Sequence, residues 1–377
     1  MRTLILASLM LLFAYPFVMY PFVLAIWARR RKRLPGDAME RDTPAVALVI
    51  CALNEQRIIR EKVENSLALK YPREKLAVVV ISDGSTDRTT AIVGEYREAG
   101  VTLLDQKVRR GKIANLNEVI PSRSEEIVIL SDANVLYHPE SVMRLVARFS
   151  DPTVGCVSGK VILTDTTPDL HGPTGQYYSV EWALQEDSSA LYSMAGADGA
   201  RYALRRELFR PCPNDTLIED FVIPMQVIAQ GKRVVMESQA VGWEKGVASL
   251  REEFRRKVRI AAGAAQGLLR GNAWPRNAPP RFWFIFVSHK LLRWLSPVIG
   301  AILLAAALVW SGDPLARIAI AGMALITALA LVRLITGWKH ALLSAPFYFL
   351  FGEIALAVGL LKGLTGLQTV LWAKENR

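Results

Sequence analysis

The sequence has few cysteines, and their spacing does not indicate a metal centre or a disulfide framework. The three cysteines, Cys51, Cys156 and Cys212, are far apart in the chain. Structural zinc sites need ligands at short paired spacings, and disulfide-stabilised domains carry several cysteines in a much shorter chain. The sequence therefore argues against both kinds of site and fits a reducing compartment. It also lacks internal repeats and low-complexity linkers.

Acidic residues are outnumbered by basic ones, 35 against 46, which gives a formal net charge of +11. The sequence contains no recognisable nucleic-acid-binding module, so we expect no nucleic acid partner despite this excess. Much of the positive charge stands beside apolar segments, where it is typical of membrane topology or of attraction to anionic lipids. Hydrophobic residues make up 51% of the 377 residues and the mean hydropathy is +0.23, which predicts membrane segments.

Apolar segments stand near both ends of the chain. Residues 4–27 are almost entirely apolar, and a basic run over residues 29–33 follows them. A cleavable signal peptide has the reverse order of charge and apolar segment, so we expect an uncleaved anchor over residues 1–28. A second membrane region is expected over residues 281–365, with an aromatic interfacial helix followed by three crossings. The interfacial helix is predicted over residues 282–294, and the crossings at about 291–310, 315–335 and 345–361.

The charges between these segments predict their orientation. Cytoplasmic loops are enriched in Lys and Arg, so the basic run over residues 29–33 and the domain after it are expected in the cytoplasm. The loop over residues 311–314 carries no cation and is expected outside, whereas Lys339 indicates an internal turn. We therefore expect a multi-pass protein of the cell membrane with a cytoplasmic domain and an external C-terminus.

Residues 44–280 read as a soluble α/β domain. Four short apolar runs, which resemble buried strands, alternate with stretches of mixed charge that resemble helices. This alternation predicts a parallel sheet covered by helices on both faces. Ligands of such sheets bind at the carboxyl ends of the strands, and the notable polar residues follow these runs. The runs are 46–53, 77–82, 101–104 and 126–132.

Polar residues after the first two runs are candidates for nucleotide binding. Asn54 and Glu55 follow the first run, and Asp83 and Asp87 belong to the Ser-Asp-Gly-Ser-Thr-Asp segment after the second. Their carboxylates could accept hydrogen bonds from a nucleobase or ribose, but roles in turns and helix caps explain the same residues. Lys112 could meet a diphosphate as a point charge, or lie in a solvated basic loop.

Two later pairs of polar residues indicate metal binding and acid–base chemistry. Asp132 and Asn134 follow the fourth run and could hold a cation whose coordination a diphosphate completes, although a helix cap is the alternative. Glu219 and Asp220 open a predicted helix, where carboxylates favour the helix dipole and could also supply a general base. The helix end is expected to keep Asp220 ionised near neutral pH.

Arg256 and Arg259 lie three residues apart and share a helix face. Their guanidinium groups could hold a leaving diphosphate with bidentate hydrogen bonds. A face turned to solvent or to anionic lipid would have the same composition, so this pair alone does not decide between the two.

Together, the ordered motifs resemble the family-2 glycosyltransferases, in the membrane-integrated branch that includes cellulose, hyaluronan and chitin-type synthases and many bacterial exopolysaccharide enzymes. The resemblance runs from about residue 45 to about residue 270. Asn134 stands where the family has a second aspartate, and Ile218 where it has a threonine. The acceptor-side Gly-Ala element is similar to the segment around Gly199 and Arg201. The other matching positions are Asn54, Glu55, Asp83, Asp87, Gly111, Lys112, Leu116, Asn117, Asp132, Glu219 and Asp220.

One departure from the family concerns polymerisation. Processive members carry Gln-x-x-Arg-Trp after the acidic pair, whereas this sequence keeps Arg259 and has Arg256 and Ile260 in place of the glutamine and tryptophan. In the family that tryptophan lies near the acceptor sugar. Transfer of one or a few sugars is therefore at least as well supported as long-chain polymerisation.

The resemblance implies a Rossmann-like GT-A α/β domain with flanking transmembrane helices. It implies inverting transfer of a hexose or N-acetylhexosamine from a nucleotide-diphosphate sugar, most simply a UDP-sugar, to a saccharide or lipid-linked acceptor. Asp220 would be the base and Glu219 would orient the loop or acceptor. Mg²⁺ or Mn²⁺ would bind at Asp132 and Asn134. Membrane lipids and subunits for export are the further partners that this branch implies.

Two alternatives remain open at the level of sequence. A polyprenyl-phosphate or lipid glycosyltransferase shares the donor chemistry and differs in its product. A non-catalytic membrane scaffold or transporter belongs to another class of protein, and the intact acidic positions argue against it.

Overall fold

The structure is a computed structural model that describes residues 1–29, 43–164, 168–199, 201–246 and 249–369. Most of the predicted basic run at residues 29–33 lies outside these ranges. The strands are β1 Val46–Ala52, β2 Leu76–Asp83, β3 Val101–Gln106, β4 Ile127–Asp132, β5 Val135–Tyr137, β6 Val154–Thr164, β7 Arg201–Arg205 and β8 Arg233–Lys245.

Helices cover the sheet and extend from the domain at both ends of the chain. They are α1 Arg2–Ala14, α2 Tyr20–Arg29, α3 Ile59–Leu67, α4 Thr89–Gly94, α5 Lys112–Ser122, α6 Ser141–Ala147, α7 Pro168–Leu191, α8 Glu219–Ala229, α9 Leu250–Leu269, α10 Pro280–Ile285, α11 Leu292–Val309, α12 Pro314–Thr336 and α13 Ala341–Thr365. Short 3₁₀ turns lie at Arg73–Lys75, Arg148–Ser150 and Arg206–Leu208, and π-helical segments at Tyr15–Met19 and Phe286–Leu291.

The eight strands form one sheet in the order β3-β2-β1-β4-β7-β6-β8-β5. The half from β3 to β4 is parallel, as the alternation of strands and helices predicts. The other half is mixed, because β7 runs antiparallel to β4 and β6, and β5 runs antiparallel to β8. The parallel sheet expected from the four apolar runs is confirmed for β1 to β4, and the mixed half is an addition that those runs did not predict.

Side chains of the strands are buried on both faces of the sheet. Ala47 and Val49 of β1 pack into a cluster with α5 and α8, whereas Val46 and Ile50 pack into a second cluster with α3 and α6. Alternation of neighbouring side chains between two apolar layers explains why the runs read as continuously apolar. This burial fixes the positions of the strand ends, and therefore the positions of the polar residues that follow them.

Four helical segments are long and apolar enough to span a membrane. They are Arg2–Arg29, Pro280–Val309, Pro314–Thr336 and Ala341–Thr365. The predicted interfacial helix is continuous with the crossing after it, through the π-helical segment. Its side chains Phe282, Phe286 and Trp294 pack into the core cluster that also contains α5 and α8, so this part of the helix is joined to the α/β domain.

The end of α13 lies against the α/β domain rather than away from it. A methyl group added at Gly363 would lie 2.5 Å from the Ala262 carbonyl oxygen of α9, so the two backbones are in close contact. A cavity of about 460 Å³ beyond this contact is lined by Lys362 and Gly366 together with Leu217 of the domain. Small residues let α13 lie along α9, so its end is beside the domain. The external C-terminus stays a prediction, which this contact makes worth testing.

Candidate active site

Lys112 joins two of the predicted motifs in one cleft. It opens α5 after Gly111, whose φ of 90° favours glycine. Lys112 Nζ lies 2.7 Å from Asp132 Oδ1 at the end of β4 and 2.5 Å from Glu219 Oε1 at the start of α8. Burial opposes its charging, but these two carboxylates raise the pKa of Lys112 well above its usual value. A lysine that stays charged in this position suits the binding of a diphosphate.

Asp83 holds the loop that leads to Lys112. Its carboxylate accepts hydrogen bonds from the backbone N–H groups of Arg110 (2.8 Å) and Gly111 (2.9 Å) and from Asn115 Nδ2 (2.8 Å). Gly84 is required beside it, because an added methyl group would lie 2.6 Å from the Arg109 nitrogen. The visible role of Asp83 is to fix the loop, and its contact with a nucleoside stays a prediction.

The first two strand ends are tied together by Asn54 and Asp87. Asn54, with a φ of 56°, accepts a hydrogen bond from the Thr86 backbone N–H at 2.7 Å. Asp87 accepts from the Thr89 backbone N–H at 2.9 Å, in the turn that precedes α4. The Glu55 backbone N–H donates to Thr89 Oγ1 at 2.8 Å. These residues shape the donor end of the sheet, and direct nucleotide contacts by them stay predictions.

Asp132 and Asn134 present oxygen atoms at the same edge. The Asp132 side chain is 33% exposed, with one oxygen engaged by Lys112. Asn134 Nδ2 donates to Glu244 Oε1 of β8 at 2.9 Å, which leaves its amide oxygen for another ligand. Among the described residues, no group of three or more His, Cys, Asp or Glu side chains could hold a metal. The oxygen atoms of Asp132 and Asn134 are of the kind that a hard cation binds, and such a cation would need further ligands, as a donor diphosphate could supply.

Asp220, in the first turn of α8, lies directly against Gly199. A methyl group at Gly199 would overlap Asp220 Oδ2. Burial and the neighbouring Glu219 raise the pKa of Asp220 to about 7, although Lys112 and Arg259 act in the opposite direction. The helix end therefore does not keep Asp220 as fully ionised as the sequence predicts, because burial outweighs it. A carboxyl group with a pKa near neutrality suits a general base.

The two predicted arginines differ in position. Arg259 Nη2 donates to the Leu217 carbonyl oxygen at 2.7 Å, in the loop that leads directly to Glu219 and Asp220. Arg256 lies 3.7 Å from Glu253 of its own helix, and 38% of its side chain is exposed. The structure thus brings Arg259 to the loop before Glu219 and Asp220, whereas the ion pair of Arg256 is within α9.

Arg201, from the predicted acceptor-side segment, lies inside the domain. It is fully buried in β7, with its guanidinium 4.7 Å from the centre of the Tyr137 ring. Gly159 and Gly242 make room for it, since a side chain on either would overlap the guanidinium. The side chain of Arg201 therefore has a structural position inside the domain, and the acceptor-side role of the segment around Gly199 and Arg201 stays a prediction.

Asp198 is an acidic residue at this site that the motifs did not single out. Its backbone N–H donates to Ser158 Oγ at 2.9 Å, and its charge acts on both Asp220 and Arg201. The sequence feature that could have identified Asp198 is its position, one residue before Gly199 in the predicted acceptor-side segment. Asp198 adds a carboxylate close enough to act on Asp220 and Arg201.

Several known proteins are similar to this chain. The structure of the mannosyltransferase PcManGT from Pyrobaculum calidifontis, in complex with GDP-Man and Mn²⁺, is 25% identical, with a TM-score of 0.75 over 98% of this chain and 100% of that one. The probable glycosyltransferase YdaM of Bacillus subtilis is 24% identical over 59% of this chain. The poly-beta-1,6-N-acetyl-D-glucosamine synthase of Staphylococcus aureus is 24% identical over 60% of it. The matched region is 56% of the length of each of these two relatives.

The α/β domain also matches a family model. The model described as "Glycosyltransferase like family 2" covers residues 44–263, more than half of the chain and nearly all of the domain. The sheet with its flanking helices is accordingly a GT-A fold. By fold, family model and relatives, the chain belongs to glycosyltransferase family 2 and is a glycosyltransferase.

Proposed function

We propose that this chain transfers a sugar, with inversion, from a nucleotide-diphosphate sugar to a saccharide or lipid-linked acceptor at a membrane, in polysaccharide or glycolipid synthesis. The observation that carries this proposal is the position of Lys112. It bridges Asp132, on the side proposed for the donor, and Glu219, which adjoins the proposed base Asp220. A charged group for the diphosphate and a base for the acceptor thus share one cleft.

The proposed reaction is a single displacement. The acceptor oxygen attacks the anomeric carbon and forms the new C–O bond while its proton passes to Asp220. The bond from the anomeric carbon to the diphosphate oxygen breaks, and its electron pair leaves with the nucleoside diphosphate. Attack opposite the leaving group inverts the anomeric carbon. A pKa of about 7 for Asp220 supports this role, because such a base can both accept and release a proton near neutral pH.

Positive groups stabilise the negative charge that develops on the leaving diphosphate. Lys112 lies in the cleft, and Arg259 is anchored to the loop before Glu219. Preorganised cations at a developing negative charge lower the barrier because they need little rearrangement during the reaction. Five further residues remain proposed contacts of the donor or supports of its site: Arg256, Asn54, Glu55, Asp83 and Asp87.

We assign Asp132 and Asn134 as the residues that would hold Mg²⁺ or Mn²⁺ together with the donor. The metal would supply Lewis acidity to the leaving diphosphate. PcManGT, whose fold extends over 98% of this chain, has been solved with GDP-Man and Mn²⁺. That complex supports the proposal of a divalent cation in this chain. It is also a reason to test GDP-sugars as donors alongside the UDP-sugars expected from the sequence.

The proposed location is the cell membrane, with the catalytic domain in the cytoplasm. Four candidate spans and the positive residues after the first of them support it. The loop before α12 lies next to the N-terminus, because Thr3 Oγ1 donates to Asp313 Oδ2 at 2.7 Å. Both would then face outward. Membrane lipids, and subunits for export if a polymer is made, are the proposed partners.

The test is to incubate the full chain, purified in detergent, with a panel of UDP- and GDP-sugars and Mn²⁺ or Mg²⁺. We expect release of one nucleoside diphosphate with one class of donor, stimulated by an acceptor extracted from membranes. Absence of turnover with every donor and acceptor in folded protein would overturn the proposal. Extraction of the product into butanol or water separates lipid-linked from free saccharide products.

A further inference from the structure

The two proposed metal ligands, Asp132 and Asn134, begin and end the turn between β4 and β5, which we call the ligand turn. One side chain of α3 contacts the chain on both sides of this turn. Lys62 Nζ donates a hydrogen bond to Ser131 Oγ at 2.8 Å and another to the Val135 carbonyl oxygen. Ser131 directly precedes the ligand turn, and Val135 directly follows it. A single amine thus ties together the two residues that bracket the proposed metal ligands.

The same helix also holds β5 beyond the ligand turn. Asn65, three residues after Lys62 and on the same face of α3, bonds both backbone groups of Tyr137. Its Nδ2 donates to the Tyr137 carbonyl oxygen at 2.9 Å, and its Oδ1 accepts from the Tyr137 N–H at 2.8 Å. Lys62 Nζ lies 4.1 Å from the centre of the Tyr137 ring. The ligand turn and the strand after it are therefore fixed against one face of α3.

Lys62 is fully buried, which is a costly position for an amine. Burial, followed by the charge of Arg201, lowers the pKa of Lys62 to about 7, whereas Asp132 acts in the opposite direction. An amine donates hydrogen bonds whether or not it is charged, so both bonds beside the ligand turn persist in either state. An apolar side chain of similar size would fill the same space at lower cost, so packing alone does not account for a lysine at this position.

The start of α3 lies at the donor end of the sheet. The backbone N–H groups of Ile58 and Ile59 donate to the Glu55 carbonyl oxygen at 3.0 and 2.9 Å. Glu55 and Asn54 are proposed to contact the nucleoside part of the donor. One short helix thus joins the loop proposed for the nucleoside to the turn proposed for the metal. A shift of the ligand turn relative to that loop would separate the groups that hold the two ends of one nucleotide.

We propose that Lys62 is a positioning residue for the joint binding of a divalent cation and the donor diphosphate. It acts through the ligand turn, by fixing the spacing and orientation of the Asp132 and Asn134 oxygen atoms. The inference rests on the proposed function and on the metal site proposed there. Groups that hold metal ligands in place typically contribute about ten- to a hundredfold to metal affinity. A site with only two protein ligands depends strongly on how those two are placed, because the diphosphate must complete the same coordination shell.

The experiment measures Mn²⁺ affinity by calorimetry on the full chain in detergent, with saturating UDP and with saturating GDP. With the nucleotide that supports Mn²⁺ binding in the wild-type protein, Lys62→Met should raise the dissociation constant of Mn²⁺ by about tenfold or more. Its unfolding temperature should stay close to that of the wild type, because methionine has a similar volume and removes a buried amine. Arg60→Met is the matched control and should leave Mn²⁺ affinity unchanged. Arg60 is an exposed cation of the same helix that bonds Glu95 and Tyr96.

A second variant tests the hydrogen bond itself. Ser131→Ala removes one acceptor of the Lys62 amine and should weaken Mn²⁺ binding by a smaller factor. Ser131 Oγ also donates to the Asp132 carbonyl oxygen at 3.1 Å, so the double variant with Lys62→Met is needed to separate the two bonds. In the Lys62→Met background, Ser131→Ala should have little further effect, because the bond between the two side chains is already lost.

Wild-type Mn²⁺ affinity in folded Lys62→Met would overturn the inference, and a lower unfolding temperature with that result would mean that Lys62 serves the fold alone. If Lys62→Met does not fold, wild-type Mn²⁺ affinity in Ser131→Ala overturns it instead. A wild-type protein that binds Mn²⁺ with neither nucleotide would remove the proposed metal site and this inference with it. Turnover of a nucleotide sugar by the wild-type protein, measured in parallel, tests the proposed function separately, since transfer can occur whether or not Lys62 positions the ligand turn.

Discussion

At the scale of single residues, Asp220 experiences opposing influences. The positive amides at the start of α8, together with Lys112 and Arg259, favour its charged form, whereas burial and Glu219 disfavour it. The resulting pKa of about 7 is near the value that serves a general base best. This balance makes Asp220 the residue whose substitution separates catalysis from binding.

Asp220→Asn is expected to abolish most of the transfer activity. The amide keeps the shape of the carboxyl but cannot accept the acceptor proton, and loss of a general base typically costs roughly a hundred- to ten-thousandfold in rate. Affinity for the nucleoside diphosphate should hardly change, because its proposed contacts lie elsewhere. Transfer rate and nucleotide affinity are measured on folded protein in detergent. Near wild-type transfer would mean that another residue is the base, and lost nucleotide affinity would place Asp220 in the donor site.

The transfer rate should depend on pH through the same carboxyl. A base works only when deprotonated, so the rate should rise with pH through about 7 and then level off. Glu219→Gln removes a charge that raises the pKa of Asp220, so its inflection should move to lower pH. The measurement is kcat against pH with saturating donor for both proteins. A wild-type profile that is flat across neutrality would contradict this assignment.

Activity should also require a divalent cation. The described cleft offers Asp132 and Asn134 but no cluster of three acidic or histidine ligands, so metal should bind chiefly together with the donor. Excess EDTA should stop turnover, and Mn²⁺ or Mg²⁺ should restore it. Metal affinity measured by calorimetry should be much weaker without nucleoside diphosphate than with it. Full turnover in EDTA would remove the metal from the mechanism.

At the scale of elements, the sequence pattern predicts those strands whose formation depends on the burial of their own apolar residues. The four apolar runs became β1 to β4, of which β1, β2 and β4 are buried on both faces and β3 is a partly exposed edge strand. The polar residues after them lie at one edge. The antiparallel β5 and β7 depend on pairing with distant partners, which no local pattern records. The same holds for Arg201, whose burial depends on Gly159 and Gly242 of two other strands.

The contacts of Lys112 with Asp132 and Glu219 show that a local sequence pattern also misses long-range contacts within the site. Its partner Asp132 is 20 residues away and its partner Glu219 more than a hundred, so only the closed fold brings the three together. Sequence order indicated each motif, and the resemblance to a family connected them. Asp198 belongs to the segment around Gly199 that the sequence singled out. The effect of its charge on the pKa of Asp220 is visible only in the fold.

Packing of α13 on α9 should control both stability and activity. A methyl group at Gly359 would lie 2.5 Å from both Ala261 Cβ and the Val258 carbonyl oxygen, and α9 carries Arg259 to the catalytic loop. Gly359→Ala should therefore destabilise the fold by about 1–3 kcal/mol, as overpacking does, and lower the transfer rate. Gly352→Ala on the same helix is the control, because no atom lies within 4 Å of the added methyl.

Thermal unfolding in detergent and the transfer rate are measured for both variants. A Gly359→Ala protein as stable and active as Gly352→Ala would show that the close contact does not position α9. Loss of stability without loss of rate in the folded fraction would separate packing from the alignment of Arg259.

At the scale of the whole molecule, the helices form two kinds of contact with the domain. The segment from α10 to α11 packs its aromatic residues into the domain core, and α13 lies along α9 beside the catalytic loop. By contrast, the start of α12 meets the N-terminus at Asp313 and Thr3, at the other end of the bundle. This arrangement makes the end of α13 and the catalytic site neighbours, and it gives the chain a topology that labelling can test.

The final prediction is that residue 312 is outside, whereas residues 98 and 367 are inside. Single cysteines at Gly312, Glu98 and Leu367 are introduced at exposed positions, in a background where Cys51, Cys156 and Cys212 are replaced. A membrane-impermeant maleimide on whole cells should label position 312 alone, and permeabilised cells should label all three. The positive residues after the first span motivate the orientation, and the contact of α13 with α9 motivates the inside position of 367. Labelling at 98 but not at 312 in whole cells would reverse the orientation. Labelling at both 312 and 367 would show that α13 crosses the membrane, as its length and composition alone suggest, and that its contact with α9 does not form in the cell.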